Sequence, residues 1–79
     1  MSRLPSISSD KVIKALKKAG FGYAPKRGKG SHIALYKIDE NNRKLLVIVP
    51  KQRELPKGTL MAILHQASLS KDEFTKLLK

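Results

Sequence analysis

The chain has 79 residues and carries 17 Lys+Arg against 6 Asp+Glu, a formal net charge of +11 at pH 7. That length holds one domain, residues 1–79, and leaves no room for a separate cofactor domain; a hydrophobic content of 41% argues against full disorder. Cysteine is absent, which excludes disulfides and thiolate metal sites and suits a cytoplasmic protein, and neither a signal peptide nor the run of roughly 20 apolar residues of a membrane helix is present.

Residues 9–19 read as a helix. Val12, Ile13, Leu16 and Ala19 recur at helical spacing, and Lys11, Lys14, Lys17 and Lys18 fill the other side. Ser8 or Ser9 caps its start, and Gly20 ends it in a C′ position. Phe21–Arg27 follows as a weak strand that Pro25 confines to an edge or an end. Gly28-Lys29-Gly30 is a flexible basic turn.

Ser31–Ile38 and Arg43–Val49 read as a hairpin around Asp39-Glu40-Asn41-Asn42. A four-residue loop sets Ile38 opposite Arg43, Tyr36 opposite Leu45, Ala34 opposite Val47 and His32 opposite Val49. Ile33, Leu35, Leu46 and Ile48 then share the core face, and His32, Ala34, Tyr36, Leu45 and Val47 the other. That second face is unusually apolar for a solvated sheet. Either it meets a partner, or the register is shifted by one residue and the faces exchange.

Pro50–Gly58 is a polar, basic loop. A helix from Pro56 or Lys57 to Ala67 turns Leu60, Ile63, Leu64 and Ala67 inward, with Pro56 in its first turn. Ser70-Lys71-Asp72-Glu73 is a capping box, with Leu69 and Phe74 as its hydrophobic staple, and opens a final helix over 71–78. The order gives an α+β fold of α-β-β-β-α(α) type, like a double-stranded-RNA-binding domain, with the helices on one face of a three-stranded antiparallel sheet.

The charge is uneven. Residues 1–37 hold nine Lys/Arg and one Asp, a net +8. Such a field attracts polyanions, RNA foremost, and marks the N-terminal half as the electrostatic face. Catalytic candidates are few. His65 sits inside the second helix, between its inward and exposed sides, and reads as a surface or boundary histidine; most acids are explained by helix starts and turns. No metal-ligand spacing or phosphate-loop fingerprint occurs, so neither metal nor cofactor is expected.

His32 differs, because it starts a strand directly after Lys26-Arg27-Gly28-Lys29-Gly30-Ser31. Cations and backbone N–H groups at such a turn hold phosphate, and an imidazole beside it takes or gives a proton near neutral pH. RNA brings its own nucleophile, the 2′-hydroxyl, so cleavage needs only a base, a positive charge at the phosphate and alignment. A lone strand histidine is also compatible with a structural or phosphate-binding role. Lys51, Gln52 and Arg53 follow the strand opposite His32 and complete the candidate site. Lys29 and Arg53 either flank one phosphate or are solvated loop charges. Tyr23 and Tyr36 are candidates for stacking on unpaired bases, and Tyr36 has packing across the hairpin as its alternative.

Taken together, Gly30-Ser31-His32 after a basic turn and a hairpin ending in Val49-Pro50 resemble the HicA toxins of HicA–HicB toxin–antitoxin systems. Leu16-Lys17-Lys18-Ala19-Gly20-Phe21, Gly58-Thr59-Leu60 with Ile63-Leu64 and Gln66-Ala67, and Leu69-Ser70 with Glu73-Phe74 extend the resemblance over nearly the whole chain. It implies a small mRNA interferase with His32 as its catalytic histidine, metal-independent and neutralised by an acidic HicB-type antitoxin. Members often carry a histidine shortly after the strand-three proline, where this chain has Gln52, which hydrogen-bonds but cannot shuttle protons.

The expected function is therefore an endoribonuclease toxin, a monomer when free. His32 is its base and acid, and Lys26, Arg27, Lys29, Gly30, Ser31, Tyr36, Lys51, Gln52 and Arg53 contact RNA. The alternatives are a non-catalytic RNA-binding module on the same basic face, or a protein-interaction domain whose apolar sheet face binds an acidic partner.

Overall fold

A computed structural model describes residues 7–24 and 32–78. Its elements run α1 (Ser9–Lys18), β1 (Gly22–Tyr23), β2 (His32–Ile38), β3 (Lys44–Pro50), α2 (Lys57–Ala67) and α3 (Lys71–Leu77). The strands form one antiparallel sheet in the order β1-β2-β3. The expected α+β order is thus the observed one, with helices over one face of the sheet.

α1 forms where its apolar spacing places it. Ser8 is the N-cap, its hydroxyl accepting the Lys11 N–H, and Val12, Ile13, Ala15 and Leu16 are buried. Gly20 takes φ +102, a left-handed conformation at which an L side chain is strained. α2 begins at Lys57 with Pro56 as its N-cap, one position before the first helical residue, and buries Leu60, Ile63, Leu64 and Ala67. The capping box of α3 is complete, because Ser70 Oγ accepts the Glu73 N–H and Glu73 Oε1 accepts the Ser70 N–H. Ser70 therefore holds the Glu73 carboxyl below its ordinary range, chiefly through its backbone N–H.

The hairpin departs from the four-residue loop. Asp39 N–H donates to the Arg43 carbonyl, so these two residues close the ladder around only three residues, and Asn42 adopts φ 63. A turn followed by one left-handed residue is the usual three-residue hairpin connection. Asp39 Oδ1 accepts the N–H groups of Asn41 and Arg43, and Oδ2 accepts Arg43 Nε–H at 3.2 Å. The Arg43 N–H is the main reason the Asp39 carboxyl titrates below its ordinary range; the Asn41 N–H and the guanidinium add to it, and desolvation opposes it.

One residue fewer in the loop shifts the register by one. His32 pairs with Pro50, Ala34 with Ile48, Tyr36 with Leu46 and Ile38 with Lys44. Ile33 and Leu35 keep the core face assigned to them, but their β3 partners are Val49 and Val47, not Ile48 and Leu46. Val47 and Val49 are fully buried, whereas Ile48 is 36% exposed. The faces of β3 are therefore exchanged, as a one-residue slip requires. Leu35, Val47 and Val49 join α1, α2 and Phe74 of α3 in one core.

β3 is an edge strand, and its outward groups are managed individually. Counting alternately from the bonded Asp39–Arg43 pair, Ile48 and Pro50 turn their nitrogens away from β2. Gln66 of α2 accepts the Ile48 N–H at 3.1 Å, and Pro50 has no N–H to satisfy. The loop after Pro50 is also pinned. Leu55, inside the stretch read as polar, is 1% exposed, and its N–H donates to the Ile7 carbonyl at 2.8 Å.

Candidate functional site

Alternation along β2 places His32, Ala34 and Tyr36 on the sheet face away from the core, opposite Pro50, Ile48 and Leu46. His32 is exposed at the start of the strand. Its cross-strand neighbour Pro50 leads directly into Lys51, Gln52 and Arg53, all exposed. The one-residue register correction thus leaves the histidine facing the proline at the entrance of the basic loop.

That loop is held from below by Ser9, the one buried polar residue among those described. Ser9 N–H donates to the Gln52 carbonyl at 3.0 Å. Ser9 Oγ donates to the same carbonyl and accepts the Gln52 N–H, each at 3.1 Å. The first N–H groups of a helix have no partner within it, and here Gln52 supplies one. Ser8, Ser9 and Asp10 line a shallow cleft with Lys51, Gln52 and Arg53. Sequence reading gave Ser9 only as a possible cap. Its role needs the 43-residue contact to Gln52, which no local signal announces.

The two tyrosines separate. Tyr36 lies on the His32 face, half-buried, with Lys44 Nζ 5.2 Å from its ring centroid. Tyr23 pairs with Leu35, on the helix side of the sheet, and Lys17 Nζ stands 4.0 Å from its ring centroid. Tyr23 therefore serves the flank of α1 rather than the face that carries His32. His65 is exposed within α2, on the surface as expected.

Lys11, Lys14, Lys17 and Lys18 are exposed on α1, in the helical layer on the other side of the sheet from His32. Lys26, Arg27, Lys29, Gly30 and Ser31 lie outside the described residues, as do Pro25 and the proposed end of the first strand. Among the described residues no group of three or more His, Asp or Glu side chains is placed to hold a metal. No described helix is long and apolar enough to cross a membrane.

What the described site offers is an exposed histidine at a strand end, a braced cationic loop leaving from its cross-strand neighbour Pro50, and a partly apolar sheet face carrying one half-buried tyrosine. No curated protein sequence matches the chain. Residues 9–69 match the family described as the HicA toxin of bacterial toxin–antitoxin systems, a span from the start of α1 to the residue before the α3 cap. The chain belongs to this family, and is a toxin whose partner is a cognate antitoxin.

Proposed function

We propose that this toxin is a cytoplasmic endoribonuclease that cleaves mRNA with His32 as its general base and then its general acid, as a single domain spanning residues 1–79. The observation that carries the reading is the exposed histidine at the start of β2, paired across the strands with Pro50, from which the Lys51–Arg53 loop leaves. The imidazole takes the proton of a 2′-hydroxyl as that oxygen attacks the adjacent phosphorus. The bond from phosphorus to the 5′-oxygen breaks, and the imidazolium returns the proton to the leaving oxygen. The products are a 2′,3′-cyclic phosphate and a free 5′-hydroxyl.

The balance of this reaction asks for no metal and no protein nucleophile. Lys51 and Arg53 supply cations to the phosphate, and Lys26, Arg27 and Lys29 do so from the chain before His32, with the Gly30 and Ser31 amides assisting. Gln52 hydrogen-bonds a base or a phosphate oxygen and leaves both proton transfers to His32. The Ser9 bracket supports the reading, because a cationic loop contributes most when its position is set before substrate arrives. A HicB-like acidic antitoxin is the partner that the +11 charge suits.

Induced expression tests the proposal. Wild type is expected to arrest growth and fragment mRNA, and His32→Ala to do neither while its thermal melt stays unchanged. Arrest by both proteins would overturn the assignment of His32. RNA affinity without cleavage in either would replace the enzyme with a non-catalytic RNA-binding module.

A further inference from the structure

The outer sheet face has one unusual place. Tyr36 is flanked on the β3 side by Lys44, whose Nζ lies 5.2 Å from the ring centroid. On the β1 side its cross-strand neighbour is Gly22. Among the described residues, a Cβ built at Gly22 meets no atom within 4 Å beyond its own chain neighbours, and the residue's backbone is not in the left-handed region. Neither backbone geometry nor a tight contact therefore requires glycine there. The absence of a side chain leaves a flat opening beside the tyrosine ring. Ile38 and Ile48, 51% and 36% exposed, extend an apolar floor where a solvated sheet face is ordinarily polar.

We infer that Tyr36, Gly22 and Lys44 form a nucleobase subsite for single-stranded RNA. One base slides over Gly22 onto the open side of the Tyr36 ring, and Lys44 meets the phosphate of that nucleotide. A planar, π-faced ligand next to an anion fits a ring that has a cation on one flank and no side chain on the other. The inference rests on the ribonuclease reading and adds a place to it. Tyr36 stands four residues from His32 along β2 and on the same face, about 13 Å at the usual strand rise. The stacked base is thus a few nucleotides from the scissile phosphate, and the subsite sets where on a strand the histidine acts.

The test uses the full chain carrying His32→Ala, so that RNA is bound without turnover, and a short fluorescent single-stranded RNA in which an abasic position is walked along the strand. Tyr36→Ala is expected to weaken binding about five- to hundredfold, the range for losing one stacked base, and Tyr36→Phe to leave it nearly unchanged. Gly22→Val fills the opening without a clash and is expected to weaken binding while the melt is retained. One abasic position is expected to lose the same factor against Tyr36 and nothing further against Tyr36→Ala, which measures the coupling directly. If Tyr36→Ala and Gly22→Val bind RNA as the parent does, the subsite is overturned and the ribonuclease reading stands. If they lose only antitoxin binding, the face belongs to the protein partner and the subsite is equally overturned. If the wild-type chain neither binds nor cuts RNA, the ribonuclease reading fails first and the subsite with it.

Discussion

Replacing Ser9 with alanine removes one oxygen and tests how the candidate site is braced. That oxygen makes two hydrogen bonds of 3.1 Å to the Gln52 backbone, while the Ser9 N–H keeps its own bond to the Gln52 carbonyl. The carbonyl therefore stays satisfied and the Gln52 N–H loses its acceptor. A side-chain hydrogen bond contributes about 0.5–1.5 kcal/mol net, and a stranded donor costs more when water cannot reach it. The contact is partly buried, so the expected loss is about 1–2 kcal/mol, or a fall of roughly 4–16 °C in Tm for a domain of this size. Ser8→Ala is the control. Its hydroxyl caps α1 through a single exposed bond of 3.3 Å, which places its cost near 0.5 kcal/mol, at the low end for N-caps. Cap logic alone ranks Ser8 above Ser9; the observed contacts reverse that order. Urea and thermal melts of both variants decide it. A Ser8→Ala loss equal to or larger than that of Ser9→Ala would refute the bracket. The same variant is expected to lower kcat/KM for RNA beyond what its unfolded fraction explains, because Lys51 and Arg53 lose their fixed mounting.

Three further outcomes follow from individual contacts. Asn42 sits at φ 63, so Asn42→Gly is expected to be neutral or stabilising and Asn42→Ala to cost about 1 kcal/mol, read from denaturation midpoints; equal effects would contradict the three-residue turn. Asp39 and Glu73 both titrate below their ordinary range in the folded chain, so their contribution is complete above that range and is lost as pH falls through the folded values. An Asp39→Asn, Glu73→Gln double variant is expected to show a shallower acid limb in stability against pH with no added dependence near neutrality, and an unaltered limb would refute the assignment. Phe74 is fully buried where α3 meets the core, so Phe74→Ala is expected to cost about 3–5 kcal/mol, a large part of the roughly 4–12 kcal/mol available to a domain of this length; a urea midpoint close to that of wild type would contradict the packing.

Features with local causes were legible in the sequence. The capping box at Ser70 and Glu73, the stop at Gly20 and the inward row of α2 each follow from a few neighbouring residues, and each is present. The β3 faces were not legible, because one left-handed residue, Asn42, decides between a four- and a three-residue loop, and every side chain after it changes side. Leu55 was hidden as a single apolar residue among charges, because it joins the core and bonds the Ile7 carbonyl only across the fold. The Gln66 bond to Ile48 and the Ser9 bond to Gln52 are tertiary contacts, and no propensity or spacing signals them. His32 was legible as a candidate from the basic residues before it, but its setting was not. The structure puts it on the sheet face away from the core with Tyr36, separates that face from the α1 lysines, and braces the loop that follows Pro50.

The central claim is that His32 moves the protons of RNA cleavage. Purified wild type and His32→Ala are incubated with single-stranded RNA in EDTA, and the fragment ends are identified. The account predicts cleavage by wild type alone, with 2′,3′-cyclic phosphate and 5′-hydroxyl ends. Equal cleavage by both proteins, by neither, or with 3′-hydroxyl and 5′-phosphate ends would contradict it.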